Sequence, residues 1–413
     1  MKRLLMLALS ASLVHSFLRF TQAQADDLSD NQFPAVTEKL TAAHMREDFD
    51  LMRKSLEEAH TGLYRYSTKD QMDRAFATQR AKLNRPLTKM EYLLLMSQTA
   101  AMIRCGHTSI DPDEGMKKEL DTIPMLPLRG RVEDGRLVVL FNDTPDDRTI
   151  LPGMEVIKIN GHDVAGILHR IWPFESADGD IETGKPMHIT NFFPLFYWAL
   201  LEHTDQFVIE ARPEAGKIVT AKLTGVTRAE RASNQNPVNA SAKAALNVLN
   251  WTPENQGLRF LKDPEIAEIR IRYFIGSDFP QWVEATFKTL REKNAKTLII
   301  DLRGNGGGQD EYGAVLVSYL TDKPFRYFDH INIKTITPSF KEHSDWNAAD
   351  ETRLRDGAIA NPAGGYLVTE KLHPGLAEQL PGRTPFLGKV FVLIDGGTFS
   401  TILIKVCACN SSK

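Results

Sequence analysis

Cysteine is scarce in this chain: three residues in 413, Cys105, Cys407 and Cys409. So few exclude a disulfide-stapled scaffold. No histidine cluster accompanies the Cys407–Cys409 pair, so the spacing of a structural zinc site is absent as well. No His-Glu-x-x-His occurs, which removes the usual helix-borne metalloprotease site, and no glycine-rich loop ends in Gly-Lys-Ser/Thr, which removes a P-loop. There is no basic excess: 50 Lys and Arg stand against 53 Asp and Glu, for a net charge of -3. Nothing in such a balance points to a phosphate backbone, the scattered Lys and Arg read as a solvated surface, and nucleic acid is not expected as a partner. Beyond the first 25 residues no apolar run reaches the ~20 residues that a bilayer span needs.

What is present is the composition of a folded protein, 42% hydrophobic and 25% charged, in a chain long enough for two or three cores. The first 25 residues read as an export signal. Lys2 and Arg3 form a positive start, Leu4 to Leu18 an apolar stretch, and Ala23-Gln24-Ala25 a small-x-small cleavage site. A membrane anchor is the competing reading, and Ser10, Ser12, His15 and Ser16 dilute the run against it. The expected location is therefore secreted or periplasmic, with no stable membrane span after cleavage.

Apolar spacing divides the rest. Met45, Phe49, Met52, Leu56 and Ala59 recur at steps of three and four and predict a helix. Ser67 with Asp70 predicts the start of a second, and Thr88 with Glu91 a capping box for a third. From 120 to 225 the pattern turns to strands: Arg129 to Val132, Arg136 to Leu140, Val156 to Ile159 before the hairpin pair Asn160-Gly161, Phe207 to Ile209 and Ile218 to Thr220. Residues 226–262 lack periodicity and read as a linker, and the Asn239-Ala240-Ser241 sequon in them reads as chance. From 263 onward strand and helix patterns alternate, as in an α/β layer. Ile269, Ile271 and Tyr273 predict a half-buried strand, Val390 to Ile394 a buried one.

Two glycine-rich turns follow two of these core strands. Gly306-Gly307-Gly308 has no Cβ to keep a ligand from the backbone N–H groups, and such groups can stabilise a developing oxyanion. Gly396-Gly397-Thr398-Phe399-Ser400 sets a serine just past a strand, where a sharp turn exposes its hydroxyl. On spacing alone an ordinary pair of turns competes with a catalytic pair.

These segments resemble a known family. Leu298 to Gly308 and Val392 to Ser400 are similar to the two signature segments of the tail-specific, C-terminal-processing serine peptidases and their tricorn-core-like relatives. Arg104-Cys105-Gly106-His107-Thr108 resembles the Gly-His-Thr element of the histidine-using branch, and Gly153 to Val164 the family's PDZ-like module. The four occur in the family's order. The resemblance implies a multidomain α+β protein: signal peptide 1–25, helical cap 26–119, PDZ-like module 120–225, linker 226–262, and an incomplete ClpP/crotonase-like α/β catalytic domain 263–413. It implies Ser400 as nucleophile, His107 as general base, and an oxyanion hole from Gly306, Gly307 and Gly308 with the Thr401 N–H as second donor. A protein or peptide is the implied substrate, with no metal and no organic cofactor. The resemblance also leads one to expect about a hundred further residues carrying a third catalytic group. Only 13 residues follow Ser400, and Thr401 to Asn410 does not resemble the expected helix, so the activity is expected to be impaired. A non-catalytic peptide binder and an inert truncated product are the alternatives.

Overall fold

The structure is a computed structural model and describes residues 34–400. The expected signal segment 1–25, and Thr401, Lys405, Cys407 and Cys409, lie outside the described residues. The described chain forms two compact units, one drawn chiefly from residues before 252 and the other chiefly from Thr252 onward.

Three helices pack together near the start of the first unit, α1 (Ala42–Ala59), α2 (Lys69–Ala81) and α3 (Lys89–Ala101). Met45, Phe49, Met52 and Leu56 of α1 are buried against Met72 and Phe76 of α2 and Tyr92 and Met96 of α3. Each such side chain contributes roughly 1.5–3 kcal/mol on leaving water. Thr88 and Glu91 close the expected capping box on α3. On α2 the box is one residue later than expected: Thr68, not Ser67, is the cap, and Gln71 closes it. Gln71 reaches back to the Thr68 N–H, which satisfies the second orphan donor.

A six-stranded antiparallel sheet follows in the same unit: β1 (Leu128–Glu133), β2 (Arg136–Asn142), β3 (Glu155–Ile159), β4 (His162–Asp163), β5 (Gln206–Arg212) and β6 (Val219–Thr224). The order is β1-β2-β3-β5-β6, with β4 paired to β3 across the expected Asn160-Gly161 turn. Two helices, α4 (Val164–Ile171) and α5 (Lys185–Leu200), bury Ile167, Ile171, Phe193 and Tyr197 in the core under the sheet. Sequence reading found neither helix. In α5, Pro194 removes an N–H from the interior of the helix, but burial of Ile189, Phe193 and Tyr197 outweighs that loss.

The stretch read as a linker is structured. It contains the helices Arg228–Ser233 and α6 (Ala240–Leu249) and the strand β7 (Gln256–Phe260). α6 buries no residue, so it left no apolar stripe to find. Asn239 is 1% exposed; its side chain accepts from the Asn142 N–H and donates to the Asn142 carbonyl, both at 2.9 Å, so the sequon asparagine is committed to the fold.

In the second unit β7 joins β8 (Ile266–Ile271), β9 (Thr297–Asp301) and β10 (Lys389–Leu393) in the order β10-β9-β8-β7. β8, β9 and β10 run parallel, and β7 is antiparallel to β8. Between β8 and β9, α7 (Phe279–Glu292) lays Phe279, Val283, Phe287 and Leu290 into the core with Ile269, Leu298 and Ile300. α8 (Asp310–Ser318) follows β9. Two expectations need correction. β8 is buried on both faces, not alternately: Glu268 is 6% and Arg270 9% exposed. Both charges are paired, Glu268 with Arg259 Nε at 2.8 Å and Arg270 with Asp301 at 3.1 Å, which is how a central strand carries them. β10, expected to be buried, has Phe391 55% exposed, because among the described residues β9 is its only strand partner.

Candidate active site

Asp301 and Leu393 are Cα partners at the ends of β9 and β10, and the Leu302 N–H donates to the Leu393 carbonyl at 2.9 Å. Parallel pairing in this register delivers both glycine turns to the same edge of the sheet. There they are sewn together. Asp395 Oδ1 accepts from the N–H groups of Gly304 at 2.8 Å and Gly397 at 3.0 Å. Thr398 Oγ1 donates to the Leu302 carbonyl at 2.8 Å, and the Phe399 N–H to the Asn305 carbonyl at 2.8 Å.

Asn305 is the hub of this junction and is fully buried, 0% exposed. Its Nδ2 donates to the Ile271 carbonyl at 2.9 Å, and its Oδ1 accepts from the Gly307 N–H at 2.8 Å. One side chain thus ties the end of β8 to the first turn while its own carbonyl holds the second. Gly308 is pinned on the other side. The Phe274 N–H donates to the Gly307 carbonyl and the Gln309 N–H to the Phe274 carbonyl, both at 2.8 Å. A Cβ on Gly308 would stand 2.3 Å from the Phe274 carbonyl oxygen, so no other residue fits.

Ser400 sits directly against this loop. A Cβ on Gly307 would lie 2.6 Å from Ser400 Cβ and 3.2 Å from its Oγ. Ser400 itself has φ 63°, the left-handed region that an L-residue occupies only when its surroundings impose it. The structure therefore brings Ser400, Gly306, Gly307 and Gly308 together. It also revises which amides are on offer. The Gly307 N–H, expected to face an oxyanion, is taken by Asn305, whereas the Gly306 N–H meets no acceptor among the described residues. Thr401 lies outside the described residues.

Behind the first turn Asp301 is buried and takes four hydrogen bonds. Arg303 donates its backbone N–H, Nε and a terminal nitrogen, and Arg270 donates the fourth. Burial works against the charged carboxylate, but the Arg303 hydrogen bonds and the Arg270 charge outweigh it and hold the Asp301 carboxyl below its usual range.

His107 belongs to the first unit. α3 ends at Ala101, Arg104 takes φ 59°, and the Thr108 N–H donates to the Cys105 carbonyl at 3.0 Å, so Cys105 to Thr108 form a tight turn. The Gly106 N–H donates to Asp178 Oδ1 at 2.7 Å. Ligand atoms of Cys105, His107 and Asp178, all half-buried, lie within 4.8 Å of one another. Sequence reasoning missed Asp178, which sits in a loop far along the chain with no motif around it, and the roles of Asn305 and Asp395, which were visible inside the glycine motifs but carried no signal of what they bind.

A strand-ended serine pressed into a glycine loop defines a serine-hydrolase type of site. Residues 265–410 match Peptidase family S41, so this part of the chain is an S41 peptidase domain. Among solved structures it is similar to mature CPAF, at 13% identity over 87% of this chain and 80% of that one with a TM-score of 0.56. Mature CPAF complexed with lactacystin matches at 13% identity over 86% and 79%, with a TM-score of 0.54. At these identities the likeness is one of fold. No curated protein sequence matches.

Proposed function

We propose that this chain is an exported serine peptidase that cleaves peptide bonds through an acyl-enzyme on Ser400. Ser400 Oγ attacks the scissile carbonyl carbon while its proton passes to His107. The oxyanion is stabilised by the Gly306 N–H of the Gly306–Gly308 loop and by the Thr401 N–H. As the C–N bond breaks, His107 returns the proton to the leaving amine, and water then hydrolyses the ester by the same route. The six-stranded module of the first unit acts as a PDZ-like binder that presents the substrate, adding it as a strand to a sheet edge. The observation that carries this reading is the left-handed Ser400 held against Gly307.

The test is hydrolysis of an unfolded protein together with labelling by a fluorophosphonate. Loss of both in Ser400→Ala, with peptide binding retained, supports the reading. Equal labelling and hydrolysis in the variant would overturn it, and peptide binding with neither activity in the parent would favour a non-catalytic peptide binder.

A further inference from the structure

Cys105, His107 and Asp178 form a cluster that peptide hydrolysis as proposed uses only in part. We propose that it is a transition-metal site of the zinc class, and that its occupancy reversibly silences the peptidase by engaging His107.

The cluster is built from two loops of the first unit that are fastened to each other. The Gly179 N–H donates to the Arg104 carbonyl at 3.0 Å and Ser176 Oγ to the Cys105 carbonyl at 2.7 Å. Arg104 Nε reaches the Gly179 carbonyl at 3.2 Å, and its terminal nitrogen pairs with Asp180. With the Gly106–Asp178 bond, these contacts set Asp178 opposite the Cys105–His107 turn and fix the register between them. The left-handed Arg104 turns the chain out of α3 so that positions 105 and 107 face the loop together.

The three groups differ in chemistry, and that combination is informative. A thiolate, an imidazole and a carboxylate are the three side-chain ligand types zinc accepts, and a thiolate disfavours magnesium and calcium. Tetrahedral coordination at ~2.0–2.3 Å puts ligand atoms roughly 3.3–3.8 Å apart. Atoms already within 4.8 Å need side-chain adjustments of about an ångström or less to close on an ion. Asp178 holds one oxygen on the Gly106 N–H, an outer bond of the kind that orients a ligating carboxylate, and keeps a second oxygen for the ion. Partial exposure of all three gives the ion a path from solvent, and three protein ligands leave the fourth position to water. Binding replaces the thiol proton: Cys–SH and M²⁺ give Cys–S–M⁺ and a released H⁺, so affinity rises with pH.

The regulatory half of this proposal rests on the reading of His107 as general base; the metal site does not. A histidine nitrogen that coordinates an ion has no lone pair to accept the Ser400 proton, and a metallated ring is a weaker base at its other nitrogen.

The experiment uses the full chain, stripped with EDTA. Zinc is titrated by calorimetry, Co²⁺ by absorbance, and hydrolysis is followed in parallel, with Cys105→Ser and Asp178→Asn as variants. One zinc per chain is expected, with a near-ultraviolet thiolate-to-cobalt band. Cys105→Ser should abolish the band and weaken zinc by about a hundredfold or more, and Asp178→Asn should weaken it by about tenfold or more. Zinc should stop hydrolysis and EDTA restore it, while Cys105→Ser keeps the metal-free rate and resists zinc. Equal zinc affinity in parent and Cys105→Ser, or a parent without the cobalt band, overturns the site. Tight zinc binding with unchanged hydrolysis overturns the regulatory half. A parent inactive even after EDTA speaks against the peptidase reading, and the two titrations still decide the metal site.

Discussion

The two glycine turns of the second unit leave neighbouring parallel strands, yet they are built on opposite principles. The first, Gly304 to Gly308, solves a problem of space: Gly307 and Gly308 stand where a Cβ would strike Ser400 or the Phe274 carbonyl. The second, Asp395 to Ser400, solves a problem of strain: a residue with a side chain is held in a conformation that glycine would adopt freely. The first turn makes room and the second fills it. What couples them is a small set of polar groups, the buried Asn305 and Thr398 and the exposed Asp395, each of which bonds across from one turn's segment to the other's. The comparison assigns a different kind of failure to each turn, and substitution can expose it.

The largest effect is expected where space is most limited. Gly308→Ala drives a Cβ into a backbone carbonyl at a φ of 142°, and should cost about 3–5 kcal/mol. Gly307→Ala meets Ser400 Cβ and should remove hydrolysis together with stability. Urea midpoints and fluorophosphonate labelling measure both. Tolerance of Gly308→Ala without loss of stability would show that the first turn is not space-limited.

Next comes the charge beneath the first turn. Asp301→Asn leaves Arg270 buried without its anion and should cost about 3 kcal/mol at neutral pH. The folded-state carboxyl lies below its usual range, and the unfolded value is roughly 3.9. Its contribution is therefore fully present above about pH 4 and is lost as pH falls through the folded value. The parent should lose stability over that window, and the difference between parent and Asp301→Asn should shrink with it. A gap that stays constant from pH 7 to about pH 3 contradicts the linkage.

Asn305→Ala should cost somewhat less, about 2–3 kcal/mol, by stranding the Ile271 carbonyl and the Gly307 N–H. It also frees the Gly307 amide. Where the first turn keeps its shape, the rate falls less than stability does; where it collapses, labelling of Ser400 disappears with the fold.

How much of this was legible beforehand follows from the physics of each element. A helix with an apolar stripe was visible in α1, and so was the Thr88–Glu91 cap of α3. Hairpin chemistry at Asn160-Gly161 was equally plain. α5 was hidden because Pro194 broke its pattern, and α6 because it buries nothing. β8 was misread as half-buried because Glu268 and Arg270 look solvent-facing until Arg259 and Asp301 are placed beside them. The glycine turns and Ser400 could be found in sequence because their motifs are local. Asp178 could not, because its neighbourhood with Cys105 and His107 is made only by the fold.

The smallest effect isolates the strain of the second turn. Ser400→Ala removes the hydroxyl but keeps a Cβ, so the left-handed backbone is retained at the same cost. Ser400→Gly removes both. An L-residue in that region is disfavoured by roughly 1–2 kcal/mol, and part of the gain from glycine is offset by its greater freedom in the unfolded chain, worth about 0.5–1 kcal/mol. Ser400→Gly should therefore be more stable than Ser400→Ala by about 1 kcal/mol, with neither variant labelled by the fluorophosphonate. Because both lack the nucleophile, any difference in their urea midpoints reports the backbone alone. Equal midpoints would mean that the turn holds Ser400 without strain, and the contrast between a turn limited by space and a turn under strain would reduce to space alone.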